Sequence, residues 1–353
     1  MSQECFVYYR LPGDCCYTEI RQQDPPMALP TVEQLDGRQG FVMAPFAPDE
    51  ECPVLLFSSA GWRRWPLPEP VSDVEAAVPN PIALAATDNT GRKEAERLHY
   101  HEDFQCFHQH ILQGDFSKIV LARMSEVALT DQMNVTDLFF RACHCYPQVF
   151  VALVSAPQCG TWLTATPEIL LEGCRSRFQT IALAGTMGRW GTTLWSEKNI
   201  AEQQFVADYI SDCICRFTER CEQQGPYTVT AGHLRHLRSD FSFALPATAA
   251  LGTFLSHLHP TPAVSGLPKQ QAVDLIGRAE HDRRDYYSGF MGPLDIDGQS
   301  HLYVSLRCMR LRDDRCQVFA GGGLLADSEE EMEWKETEAK MMTMKKLIYD
   351  IRQ

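Results

Sequence analysis

Three consecutive glycines, Gly321, Gly322 and Gly323, stand between a strand-like run and a long charged helix. A stretch of backbone left without side chains there implies that something must come close to it. The segments 302–306 and 317–320 are rich in β-branched and aromatic residues and predict a pair of strands turned at 312–315. After the glycines, Ser328 reads as the N-cap of a helix that runs past Lys346. On that helix Glu333, Glu336 and Lys340 are spaced three and four apart, so they leave one face together. Two readings fit this spacing. The residues could hold a hard divalent cation such as Mg²⁺ with an anionic ligand, or they could form ion pairs on a solvated helix.

The remaining chain bounds the choice. A formal charge of −14 excludes a nucleic-acid backbone as the expected partner, because phosphate binding needs clustered lysine and arginine. An acidic chain that binds an anionic small molecule must therefore use a local basic pocket or a metal. No apolar run is long enough to span a bilayer, and the first residues lack a basic-then-apolar leader, so no membrane partner and a cytoplasmic location are expected. The 14 cysteines include no C-x-x-C pair and are expected to be buried reduced thiols, Cys143-His144-Cys145 included.

Taken in order, residues 1–90 are proline-rich, with short strand-like pieces at 6–10, 40–44 and 54–58. A helix over 90–113 carries His99, His101, His108 and His110, which do not share a face and predict a solvated surface. FSKIVLAR (116–123) then predicts a strand with Lys118 on the same side as Val120 and Ala122. A lysine there is either desolvated, which makes a general base, or it snorkels to water. A helix is predicted over 134–145 and strands over 149–154 and 161–164. Glu168 follows Thr166-Pro167 and precedes three aliphatic residues, and is either an acid with a raised pKa or a strand-edge glutamate.

A strand over 178–184 leads into Gly185-Thr186, a small-residue turn where a ligand can touch backbone. In the next helix Glu202 is either a helix-dipole partner or a metal ligand. Residues 227–238 read as a strand, and 247–257 and 269–279 as helices around the proline-rich loop 258–268. No repeat or linker interrupts the pattern. The expected architecture is one mixed α/β domain over 1–353, with a variable part (1–90) and a motif-bearing part (91–353).

The motifs FSKIVLAR, TPEILL, LAGT, SEKNIAEQQ, LHPTPAVSGLP, the E-x-x-R-x-x-Y-Y-x-G of 280–289 and AGGGLLADSEEEMEWKETEAK occur in one order. Together they resemble the chorismate-utilising enzymes, a family that includes isochorismate, salicylate, anthranilate and aminodeoxychorismate synthases. The resemblance covers residue 117 to the C-terminus. Within the family, Lys118, Ala184 and the loop His259 to Ala263 are similar to the isochorismate synthases.

The resemblance implies an α+β fold of two large antiparallel sheets packed as a sandwich with helices outside, and a monomer. It also implies a Mg²⁺-dependent isomerisation of chorismate, with Lys118 as base and Glu168 as acid. Glu202 and Glu336 would hold Mg²⁺ with Glu333 nearby; Gly185, Thr186, His259, Ala263, Arg307, Gly321 and Lys340 would surround the substrate. Salicylate synthase is the nearest alternative, and an inactive chorismate-binding paralogue a further one. The product is expected to feed menaquinone, or else siderophore, biosynthesis. Gln203, where relatives have histidine, and Gly322, where they have alanine, depart from the pattern.

Overall fold

A computed structural model of the chain describes residues 4–69, 90–129, 134–174, 177–188, 194–231, 234–245, 250–312 and 314–349. Six strands come first: β1 (Cys5–Arg10), β2 (Cys16–Gln22), β3 (Met27–Leu29), β4 (Gly40–Ala44), β5 (Val54–Phe57) and β6 (Arg63–Pro66). Then follow α1 (Thr90–Leu112), β7 (Lys118–Ala128), α2 (Val135–Cys145), β8 (Phe150–Ala156), β9 (Gly160–Thr166), β10 (Ile169–Cys174) and β11 (Arg177–Gly188). The middle holds α3 (Glu197–Cys215), β12 (Cys221–Ala231), β13 (Leu234–Ala244), α4 (Leu251–Leu258), β14 (Gly266–Leu267) and α5 (Lys269–Ala279). The chain closes with β15 (Phe290–Leu294), β16 (Gln299–Val304), β17 (Cys308–Leu311), β18 (Arg315–Leu324) and α6 (Glu330–Tyr349).

The strands form two nine-stranded sheets. The first runs β14-β7-β18-β17-β9-β8-β1-β2-β6, the second β12-β13-β11-β10-β16-β15-β4-β5-β3. The pairings are antiparallel, as in β7 against β18 and β11 against β13. Between the sheets lies an aromatic layer that includes Tyr9, Phe41, Phe57, Phe150, Trp162 and Tyr303. Its Phe150 and Tyr303 rings stack at 4.4 Å across the two sheets. Outside, α3 and α4 cover the second sheet, α2 and α6 the first, and α1 and α5 pack over β7. The N-terminal strands complete both sheets: β1, β2 and β6 extend the first, and β3, β4 and β5 the second.

Between the described strands the chain changes sheet six times, and the two shortest crossovers are those from β9 to β10 and from β16 to β17. β9 belongs to the first sheet and β10 to the second, and only Pro167 and Glu168 lie between them. Pro167 has no N–H to give a ladder, so the strand ends there. The return crossing runs through Ser305, Leu306 and Arg307, between β16 and β17. Arg307 takes a φ of 47°, a conformation that non-glycine residues rarely hold. The crossings lie side by side: Val304 N–H donates to Glu168 O (2.9 Å) and Ala165 N–H to Arg307 O (3.0 Å).

Several expectations change here. The predicted pairing of 302–306 with 317–320 is wrong: residues 299–304 pair with β10 and β15 in the other sheet, and β18 pairs with β17 and β7. The left-handed backbone at Arg307, which redirects the chain, leaves no mark in a hydrophobic pattern. The single strand read over 227–238 is two strands, β12 and β13, paired to each other. The glycines lie inside β18, not beyond its end. Helix α6 starts at Glu330, and Ser328 uses its hydroxyl differently: it accepts from Leu325 N–H (3.0 Å) and donates to Glu333 Oε1 (2.9 Å). Residues 247–249 of the predicted helix lie outside the described residues; the helix is described from Leu251. The cysteines are not joined in disulfides, but Cys15, Cys145, Cys174 and Cys215 are exposed rather than buried, and Cys16, Cys106 and Cys221 are partly exposed.

Candidate active site

The crossovers open onto a cavity that encloses about 690 Å³ of atom-free space, part of it open to solvent. Glu168, Leu306 and Arg307 come to it from the crossings, Gly321, Gly323 and Lys340 from β18 and α6, and Gly185, Glu202 and His236 from the second sheet and α3. Ala263 adds the loop after α4.

Glu168 is 5% exposed. Burial raises its carboxyl to about 7, against the opposing pull of Lys118, Arg307 and Lys340. Between the two readings of this residue, the structure places it as a buried acid and not at a solvated strand edge.

Lys118 is fully buried at the start of β7 and does not snorkel. Its Nζ lies 3.0 Å from Glu202 Oε1. Burial pushes the Glu202 carboxyl up, but the ammonium groups of Lys118, Lys340 and Lys198 outweigh it and hold the group below the usual range. Glu202 lines the cavity and Lys118 stands behind it. Gly323 makes this approach possible: a Cβ there would lie 2.3 Å from Glu202 Oε1 and 2.9 Å from Lys118 Cε.

A second set of charges closes the α6 side. Lys340 Nζ pairs with Glu336 Oε1 (2.6 Å) and donates to Gly321 O (2.8 Å). Glu333 is buried and bound by Lys198 and by Ser328 Oγ; Lys198 Nζ also donates to Ser328 Oγ (3.0 Å). Burial pushes the Glu333 carboxyl up, with Lys198 acting against it. A Cβ on Gly322 would come 3.1 Å from Glu333 Oε2. Two carboxylates thus reach neighbouring glycines of one strand. Three glutamates with all-oxygen donor chemistry suit a hard cation such as Mg²⁺. In this structure the ammonium groups of Lys118, Lys198 and Lys340 balance them, and these three carboxylates do not have oxygens all within 4.8 Å of one another.

The strand does not turn at Gly185-Thr186 as expected: β11 continues to Gly188, and Gly185 takes φ 68° inside it, at a shift in register with β13. Its N–H donates to Glu202 Oε2 (3.2 Å). The Thr186 backbone pairs with His236, while its side chain lies outside the described residues. His259 is buried away from the cavity lining, with Nε2 3.2 Å from Pro45 O and its ring edge-on to Phe290. It anchors the loop that carries Ala263.

Several residues of the site escaped the sequence reading. His236 lines the cavity, and burial, with Arg307 and Lys340 beyond, lowers it to about 3, so its imidazole is neutral. Nothing in its alternating strand sets it apart. Tyr287 also lines the wall, from the quoted Y-Y pair. Gln203, which departs from the histidine of the family resemblance, shows its role only in the fold. Buried beside Glu202, it accepts from Ala184 N–H (2.8 Å) and donates to Ala182 O (3.1 Å) and Ser239 Oγ (3.2 Å), which ties α3 to β11 and β13.

Comparison with known proteins agrees with this architecture. The family model described as chorismate binding enzyme matches residues 70–349. The isochorismate synthase EntC of Escherichia coli K12 is 30% identical over 238 residues, which are 64% of this chain and 61% of that protein's length. Among solved structures, DhbC of Bacillus anthracis, reported as a 2,3-dihydroxybenzoate-specific isochorismate synthase, superposes with a TM-score of 0.80 at 20% identity, covering 97% of this chain and 95% of its own. MenF of Escherichia coli, described as a menaquinone-specific isochorismate synthase, gives 0.76 at 19% identity, covering 98% and 88%. The match over residues 70–349 makes this chain a member of the chorismate-binding enzyme family.

Proposed function

We propose that this protein is an isochorismate synthase that converts chorismate to isochorismate reversibly and with Mg²⁺. One observation carries the reading: a buried carboxylic acid, Glu168, lines the cavity together with Arg307 and Lys340, and a buried amine, Lys118, stands directly behind the lining residue Glu202. A site that only bound an anion would have no use for an acid whose pKa stands near 7.

In the reaction, Lys118 first releases to solvent the proton it carries in its pair with Glu202 and then, as the amine, takes a proton from a water whose oxygen adds to one end of the ring diene. The double bonds shift, and Glu168 gives its proton to the hydroxyl that leaves the other end. One water enters and one departs, so the change is an isomerisation. Burial keeps Glu168 in the acid form that this step needs. Arg307 and Lys340 supply cations for substrate oxygens, and the bare backbone at Gly185, Gly321 and Ala263 allows close approach. Mg²⁺, held by Glu202 and Glu336 with Glu333 alongside, would neutralise the ring carboxylate of chorismate. The described site draws on both sheets of one chain, which supports a single catalytic domain and a monomer. Menaquinone and 2,3-dihydroxybenzoate pathways both occur in the names of its structural relatives, and menaquinone synthesis is our assignment for the product.

The test is incubation with chorismate, with and without Mg²⁺ and without an ammonia source, followed by chromatographic separation. A Mg²⁺-dependent mixture of chorismate and isochorismate is expected. Salicylate with pyruvate would replace the assignment by salicylate synthase, and no conversion would leave a binding protein.

A further inference from the structure

Away from the cavity just described, the turn from β1 into β2 brings Asp14, Cys15 and Cys16 together, with one ligand atom from each within 4.8 Å of the others. Among the described residues it is the one such group of three. The two sulfurs are 3.9 Å apart. Two thiolates bound to one zinc ion at about 2.3 Å in tetrahedral geometry stand about 3.8 Å apart, so the thiols are already near the spacing a single ion requires. The Asp14 Oδ1 accepts the Cys16 N–H at 3.0 Å, which holds the turn closed.

Two further features favour a cation here. Asp14 and Cys16 line a second, separate cleft that Arg64 and Trp62 also border, with about 650 Å³ of atom-free space, part of it open to solvent, so an ion would have both an entry route and room for a solvent ligand. Arg64 Nη2 lies 2.6 Å from Asp14 Oδ2. Two thiolates, one carboxylate and a divalent ion sum to one negative charge, and the Arg64 guanidinium balances it. Cys15 is exposed and Cys16 partly so, in contrast to the buried thiols Cys5 and Cys159.

We propose that Asp14, Cys15 and Cys16 form a binding site for a thiophilic divalent cation, zinc or cadmium, with its fourth position open to solvent. The ion would cross-link the β1–β2 turn, while the thiols release their protons on binding. Soft sulfur donors set this site apart from the all-oxygen group around Glu202.

The reduced, chelator-treated full chain is titrated with Cd²⁺ while the ultraviolet thiolate-to-cadmium charge-transfer band is followed. A band that saturates at one equivalent, and that Zn²⁺ added afterwards removes, is expected. The C15S/C16S variant should lose the band, and C174S, which removes another exposed thiol, should keep it. Far-ultraviolet circular dichroism and turnover should match wild type in both variants. An undiminished band in C15S/C16S, or no stoichiometric band in wild type, would overturn the assignment.

Discussion

Charged side chains meet in pairs both at the N-terminal strands and at the sheet crossovers, and the two regions put them to different use. Around the N-terminal strands the pairs are half in water: Arg283 reaches Asp49 (2.7 Å) and Glu51 (2.6 Å) with about half of each of Arg283 and Asp49 exposed. One residue further on, Arg284 is buried, bonds Glu280 at Oε2 (2.7 Å) and donates to Val264 O (2.6 Å) and Val120 O (2.8 Å). The crossover region continues in this way, with Lys118 against Glu202 and Glu333 bound by Lys198. Exposed pairs are screened and hold little energy. Buried ones cannot lose a partner without stranding a charge. The difference between the regions is burial, not composition.

The sharpest test of that contrast is catalytic. E168Q keeps shape and burial but removes the proton, so kcat for chorismate should fall by about 10²- to 10⁴-fold while chorismate binding persists in calorimetry. Unchanged turnover would remove Glu168 as the acid. Next in size, R284M should lose about 3–5 kcal/mol of stability in denaturant titration. R283A should stay within about 1 kcal/mol. Equal losses in the two variants would break the comparison.

The Glu168 titration gives a smaller effect with a definite sign. Its folded-state value is about 7 against an ordinary 4.5. Between these values the folded chain keeps a proton that the unfolded chain has lost. The group's stabilising contribution is therefore full below pH 4.5 and disappears as pH rises through about 7, a change of about 3 kcal/mol. E168Q, which cannot ionise, should gain on wild type by about that amount between pH 4.5 and 8 in chemical-denaturation midpoints. In wild type, kcat should fall as pH rises through about 7.

Two glycines make the smallest test. G323A drives a methyl group into Glu202 and Lys118 and should cost about 1–3 kcal/mol, with loss of turnover. Gly277, on α5, has nothing within 4 Å of an added Cβ. G277A should stabilise by about 0.5–1 kcal/mol in thermal unfolding and leave turnover alone.

Much of the architecture could be read from residue order. The mixed strand and helix pattern, helix α6, a strand carrying Lys118, Val120 and Ala122, and the bare glycines are evident, because period and residue type act locally. So is the gathering of Glu168, Gly185, Glu202, Ala263, Arg307, Gly321 and Lys340 about one cavity, though only through ordered motifs. The sheet assignment of β16 was misread, and the roles of His236 and Gln203 went unseen. In each case the deciding partner is far along the chain or in another sheet: Gln203 meets Ser239, and Thr186 pairs with His236.

The sequence by itself determined the chemical inventory: an acid beside a proline, a lysine in an apolar strand, and glutamates at helical spacing. Only the tertiary structure decided their states. It buried Lys118 instead of letting it reach water, set Glu202 3.0 Å from it, and raised Glu168 by enclosing it at a crossover. The physical reason is that side-chain type and periodicity are properties of neighbouring residues, whereas desolvation and charge pairing depend on everything that packs around a group.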